Sequence, residues 1–252
     1  HGTGPASEPE NQAIEALLEQ VRPMYFIDYH SYGEYIVWPG SCGQVEENDL
    51  FSLVGSELND RVECDDGQTG GWTIGNSADV MYPADGAGDD QAYGGTGAIA
   101  FTFELNSGWG NFQPDYDTWR DLTVTRQRAA WGYLLDRTLD GPSVRGLVYD
   151  ADSLAPVAAT CQFANHPFES GQDPLRCDAN GRFGRAVLPG SDHVAVFTAP
   201  GYLPESRTLH VASGPVDLDV PLVAGTNHTP TASAGTDQTV NEGDTVHLDA
   251  TA

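Results

Sequence analysis

The sequence contains no lysine. All eleven of its basic residues are arginines, set against 37 Asp and Glu, and the formal net charge is −26. A chain this acidic repels a phosphate backbone unless a metal or a local basic patch intervenes, and no arginine cluster is visible along the sequence, so a nucleic-acid partner is excluded. Long apolar runs are missing too. None approaches the roughly 20 residues of a membrane span, so no membrane-crossing segment is expected. The opening HGTGPASEPE shows no leader pattern. Cysteine is scarce, with four residues at 42, 64, 161 and 177. None has zinc-knuckle spacing, so a thiolate metal site is set aside. Four cysteines allow three connectivities; the preferred pairing is Cys42 with Cys64 and Cys161 with Cys177, as in an exported protein. The acidity itself suits a saline medium and a generally acidic exported protein equally well.

What is present reads as a folded chain rich in turns. Hydrophobic residues make up 39%, with 29 glycines and 16 prolines. Ser7 to Glu10 reads as a capping box, with Pro9 in the first turn, and Ile14, Leu17, Leu18 and Val21 follow at helical spacing until Pro23. Residues 24–28 and 35–38 read as strands, 50–62 as a helix and 98–105 as a strand. Residues 117–137 read as a long helix with Leu122, Ala129, Tyr133 and Leu134 on its apolar face. Alternating helices and strands predict an α/β layer structure. After Gly141-Pro142 the helical period disappears. Val144, Gly146 and Val148 alternate, Asn180-Gly181 is a tight-turn signal, and residues 193–198 and 216–222 alternate apolar with polar. A small all-β domain, a sandwich, is predicted there. A last strand pattern stops at Ala252 without partners, and the chain is read as cut at that end.

Two places in the first region join ionisable groups to strand ends. Asp28, His30, Ser31 and Tyr32 follow the first strand. Glu104 lies within an apolar strand and points to the face opposite Phe103 and Leu105. If that face lines a cleft, desolvation raises the carboxyl pKa and suits it to proton transfer. A lone His after a strand is more often a hydrogen-bonded structural residue than a ligand.

SEPENQAI, FIDYHSYGEYIVWPG, MYPADGAGDDQAYG and AFTFEL occur in that order. Together they resemble the zinc carboxypeptidases of the pancreatic A and B type, over about residues 3–140. The resemblance implies a mixed sheet with helices on both faces, and zinc held by two His and one Glu. His30 matches the downstream His ligand of the zinc. Ser31 and Tyr32 match residues lining the substrate cleft. Tyr82 matches the mobile tyrosine that closes on the terminal carboxylate of the substrate. Glu104 matches the general base, which takes a proton from water and returns it to the leaving amine. Asp89 matches the residue that sets the pocket for the C-terminal side chain, where an acid resembles the B-type preference for Lys or Arg. The alternative for Asp89 is one more surface acid. An aromatic usually follows Asp90 in the family, and here Gln91 does.

The other two family ligands lie in an H-x-x-E motif upstream of SEPE, and none precedes Ser7; the chain is therefore expected to be truncated at its N-terminus and inactive as it stands. His166 to Glu169 spell H-x-x-E, but in a loop of the β region and in the wrong order for the family. Residues 143–223 resemble a transthyretin-like, carboxypeptidase-regulatory sandwich, on VRGLVYDAD, DANGRFGRAVLPG and DLDVPL. Its His193 and His210 are expected on strand faces without metal. Residues 224–252 read as a linker, with an Asn227 sequon, and the opening of a PKD-type immunoglobulin-like repeat. The expected domains are thus 1–140, 143–223 and 224–252. The expected function is that of a secreted zinc metallocarboxypeptidase acting on peptide or protein C-termini, with the β domains contacting a cell surface or matrix. The second reading is a non-catalytic binding protein on the same fold.

Overall fold

A computed structural model describes residues 4, 6–40, 45–107, 112–164 and 175–225. In chain order these form α1 (Pro9–Val21), β1 (Tyr25–Ser31), β2 (Tyr35–Trp38), α2 (Asn48–Asn59), β3 (Thr73–Asn76), α3 (Ser77–Val80), α4 (Gly88–Thr96), β4 (Ile99–Leu105) and α5 (Tyr116–Asp140). The strands β5 (Ser143–Asp150), β6 (Thr160–Phe163), β7 (Arg182–Ala186), β8 (Ser191–Thr198), β9 (Glu205–Val211) and β10 (Pro215–Leu222) follow.

The first half is built on a mixed four-stranded sheet in the order β1-β4-β2-β3. β4 pairs parallel with β1 and antiparallel with β2, and β3 is parallel to β2. Phe101 and Phe103 of β4 share one face of the sheet, and α2 packs on that face. Phe51 meets Phe101 edge to face at 5.6 Å and stacks on Trp38 at 6.3 Å. Such aromatic contacts add about 0.5–1.5 kcal/mol each beyond area burial. A polar tie fixes α5 to α2 and β1: Arg137 donates to the Tyr25 hydroxyl at 2.9 Å and to Glu57 at 2.9 Å. A second tie sets α5 beside the loop after α2, where Arg126 donates to Asp65 at 2.9 Å.

The second half consists of two three-stranded sheets, β10-β5-β7 and β6-β8-β9. They share one core: Val144, Val148, Phe183 and Val220 come from the first sheet, and Cys161, Phe163, Phe197 and Val211 from the second. The two halves are joined by charge as well as by chain. Arg185 of β7 is buried, pairs with buried Glu47 ahead of α2, and donates to the Gly97 carbonyl at 2.5 Å. Gly97 ends α4 in the left-handed region (φ 76°), and a Cβ there would fall 2.5 Å from the guanidinium. Glycine is the residue that meets both demands.

Several sequence expectations are corrected. Ser7 does not cap α1. The N-cap is Glu8, without a side-chain cap bond, and the Ser7 hydroxyl donates to the Glu8 carboxylate instead, at 2.9 Å. Ile14, Leu17 and Val21 are exposed, and Leu18 alone of that set is buried. The inward stripe of α5 is Gln127, Ala130, Leu134 and Arg137, while Leu122 and Ala129 face solvent. The expected Cys161–Cys177 disulfide is absent, and both residues are buried thiols, as is Cys64. The reason is register. Thr160 lies opposite Arg176, so Cys161 and Cys177 are diagonal neighbours across an antiparallel bridge. Diagonal positions sit roughly 7–8 Å apart, whereas a disulfide needs Cβ atoms about 3.5–4.5 Å apart. Cys42, His166 to Glu169, Asn227 and the expected repeat lie outside the described residues.

Candidate functional site

Parallel pairing of β1 with β4 places His30 opposite Glu104 and Asp28 opposite Thr102. Because side chains alternate along a strand, Asp28, His30, Thr102 and Glu104 share one face of the sheet. Tyr35 of β2 flanks Glu104 on its other side. The sheet thus brings together two of the residues expected from sequence, His30 and Glu104, which are 74 positions apart.

Their environments differ. The His30 side chain is 53% exposed, whereas Glu104 is only 7% exposed. Burial pushes the Glu104 carboxyl above the ordinary carboxylate range; His30 opposes the rise and Asp28 adds to it. A carboxyl whose neutral form is favoured by burial is suited to exchange a proton.

Asp28, which sequence reasoning did not single out for a role of its own, completes the group. Its Oδ2 lies 3.2 Å from Nε2 of His30. With its proton on Nε2 the imidazole donates to Asp28, and the lone pair of Nδ1 is left to accept or to coordinate. Gly88 makes room for this carboxylate, because a Cβ there would fall 2.3 Å from Oδ2. The signal was present in the sequence as an i, i+2 pair on a strand. Asp28→Ala is expected to move neutral His30 toward the Nδ1–H tautomer, and Asp28→Asn to retain the Nε2–H form through its carbonyl oxygen. Imidazole 15N shifts report the difference, and identical tautomer populations in all three proteins would contradict it.

Asp89 occupies the first turn of α4 and is 3% exposed. Burial pushes its pKa up to about 7, with Asp90 and then Asp28 adding to the rise. It is therefore not one more surface acid, and its field reaches the Asp28 end of the site. The neighbouring Asp90 serves the helix start, accepting from the Gly86 and Ala87 amides at 2.9 and 3.1 Å. Ser31 donates from its hydroxyl to the Phe112 carbonyl at 3.2 Å, and the Tyr32 ring meets Phe112 edge to face at 6.3 Å. Tyr82 stands 60% exposed, and among the described residues no hydrogen bond or ring contact links it to His30 or Glu104. A groove of about 640 Å³ opens beside His30 and Ser31, walled by Tyr29, Phe112, Trp119 and Arg120. An apolar groove with a few convergent polar groups is the usual form of a ligand site.

The fit to a metal is partial. Among the described residues no three His, Cys, Asp or Glu side chains group closely enough to hold an ion. One imidazole with a carboxylate partner is a suitable single ligand and cannot by itself hold zinc in a catalytic site. His193 is buried in β8 with Nε2 3.0 Å from the Leu188 carbonyl, and His210 pairs with Asp192 at 2.8 Å on the surface.

A family model described as zinc carboxypeptidase matches residues 1–120. Bovine carboxypeptidase O is 32% identical over 108 residues, covering 41% of this chain and 28% of the relative. Human carboxypeptidase B2 is 34% identical over 110 residues, covering 41% and 25%. The solved structure of bovine thrombin-activatable fibrinolysis inhibitor in complex with tick carboxypeptidase inhibitor aligns with a TM-score of 0.47 and 26% identity, over 54% of this chain and 47% of that one. The chain therefore spans little more than a quarter of the length of the curated relatives it matches.

Proposed function

We propose, from the premise that residues 1–120 belong to the zinc carboxypeptidase family, that this segment supplies part of a metallocarboxypeptidase centre. His30 would hold zinc as one ligand; among the described residues no further His, Cys, Asp or Glu pair lies close enough to complete a three-ligand site with it. The observation that carries the reading is the register of β1 and β4, which sets exposed His30 beside buried Glu104 on one face. Zinc, when bound, supplies a Lewis acid for the scissile carbonyl and acidifies water. Glu104 would take the proton of the attacking water and pass it to the leaving amine, a role that needs a carboxylate rather than an amide. Asp28 holds the His30 ring. Ser31, Tyr32 and Tyr82 would line the approach of the substrate, with Tyr82 moving inward from its exposed position to meet the terminal carboxylate.

Asp89 supports a preference for substrates ending in Lys or Arg. Below about pH 7 its buried carboxyl is neutral and offers no charge. Above that it ionises and favours a cationic side chain, which in turn would lower its pKa. Its contribution to stability has the opposite trend: present in acid, below the ordinary carboxylate range, and lost as pH rises through about 7. The test is release of C-terminal residues from peptides by the intact protein. Arg-ended peptides are expected to be cut faster than Phe-ended ones, with the ratio rising through about pH 7. Faster cleavage of Phe-ended peptides at every pH would sink the assignment of Asp89, and no release of either would sink the peptidase reading in favour of a binding protein.

Residues 143–223 would be a transthyretin-like sandwich serving as support for the first region, and residues 224–252 a linker with the start of a PKD-like module. Both suit a protein working outside the cell, secreted or attached at its surface. Among the described residues no helix is long and apolar enough to cross a membrane.

A further inference from the structure

Glu104 stands one residue before the end of β4, and the turn after β1 is laid against that end. The Glu34 amide donates to the Glu104 carbonyl at 2.8 Å, and the Gly33 amide to the Asn106 carbonyl at 2.7 Å. Turn and strand end are both held by one residue of the loop between α2 and β3. Asp65 donates from its amide to the Glu34 carboxylate at 2.5 Å. Its Oδ2 accepts from the Ser107 amide at 2.7 Å and from the Ser107 hydroxyl at 3.2 Å. Its Oδ1 accepts from Nη1 of Arg126 at 2.9 Å, and its carbonyl from Nη2 at 3.0 Å. Arg126 belongs to α5, and its Nε also donates to Glu63 at 3.3 Å. The loop carrying Asp65 is tied by its own backbone: the Cys64 amide donates to the Gln68 carbonyl at 2.7 Å, and the Gly67 amide to the Cys64 carbonyl at 2.9 Å. Two of the donors that meet the Asp65 carboxylate, the Ser107 amide and the Arg126 guanidinium, can only donate, and they take different oxygens. A carboxylate accepts on both, whereas an amide side chain would turn its NH2 group toward one of them. The Arg126 and Asp65 side chains are 9% and 14% exposed, so water can do little to replace a lost bond.

We propose that Asp65 is a positioning residue for Glu104: it clamps the turn after β1 and the end of β4 to α5, and so fixes where the Glu104 carboxylate stands beside His30. Asp65 acts through Glu34 and Ser107. Such a clamp matters to a proton-transferring group, because a displacement of about 1 Å caused by a change far from the chemistry can cost about 10²-fold in rate. The consequence for rate rests on the peptidase reading; the clamp itself does not.

The test replaces Asp65 by Asn in the intact protein and reads release of C-terminal residues, bound zinc and amide exchange together, well below the Tm of the variant. kcat is expected to fall about 10–100-fold, with KM and bound zinc nearly unchanged. Exchange of the Ser107 and Glu34 amides should quicken about tenfold or more, as for loss of a hydrogen bond to a charged group. Glu34→Gln keeps an acceptor for the Asp65 amide and should behave as wild type, whereas Glu34→Ala should resemble Asp65→Asn. Asp217→Asn, at an exposed pair with Arg145 in the β region, should change nothing. An unchanged kcat in Asp65→Asn beside an active wild type would overturn the assignment, as would unchanged exchange at Ser107 and Glu34. A wild type that releases nothing contradicts the peptidase reading instead, and the exchange rates then decide the clamp.

Discussion

Arg185→Met is expected to lower the unfolding free energy by about 3–5 kcal/mol, the usual cost of stranding one partner of a buried ion pair. Glu47 would keep a carboxylate in the core without its guanidinium, and the Gly97 carbonyl would lose its donor. Burial and the same Glu47 hold the Tyr93 phenol above its ordinary range, so Tyr93 belongs to the affected group. For a chain of this size the loss corresponds to roughly 6–20 °C in Tm. Arg185→Met combined with Glu47→Leu should recover much of it, because a well-packed apolar pair often matches a buried ion pair. Thermal unfolding of the two single variants and the double variant gives the coupling directly. A loss below about 1 kcal/mol, in the range of exposed pairs, would mean that the halves are not joined at this point. The position matters for function because Gly97 ends α4, whose first turn carries Asp89 and whose Gly88 accommodates Asp28.

If the proposed peptidase activity is present, Glu104→Gln is expected to lower kcat of the intact protein by about 10²–10⁴-fold, the contribution of a positioned acid or base. The same change should leave stability near neutral pH unchanged or slightly raised. The Glu104 pKa is raised by burial, so its stabilising contribution is present in acid and is lost as pH rises through the raised value. Gln keeps the shape and removes the desolvated charge, and the pH dependence of Tm should flatten accordingly. A fall in rate accompanied by an equal collapse of Tm would instead mark Glu104 as structural.

How much of this could be read from the sequence depended on the strength of the local pattern. β2 lies at Tyr35–Trp38 as expected, and β4 was read to within one residue, because short β-branched and aromatic runs bounded by turns have few competitors. The helices were found, but their inward faces were not. α1 packs mainly on α4, so the stripe of Ile14, Leu17 and Val21 turns to solvent. In α5 the polar residues Gln127 and Arg137 point inward because Arg137 has Tyr25 and Glu57 to meet, which no hydrophobicity pattern encodes. α4 was not found, since three glycines in nine residues leave no helical period. At the site, His30 and Glu104 could be named by resemblance, but their adjacency is a property of the β1–β4 register. The Asp28 contact needed both the strand alternation and the space left by Gly88.

The proposal that His30 and Glu104 form parts of one zinc peptidase centre assigns them separate tasks. It is tested most directly by measuring bound zinc and C-terminal release together, in the intact protein and in its His30→Ala and Glu104→Gln variants. The account predicts one zinc per chain in the wild type and in Glu104→Gln, loss of zinc in His30→Ala, and release by the wild type alone. Zinc retained without His30, or release retained without the Glu104 carboxylate, would contradict it.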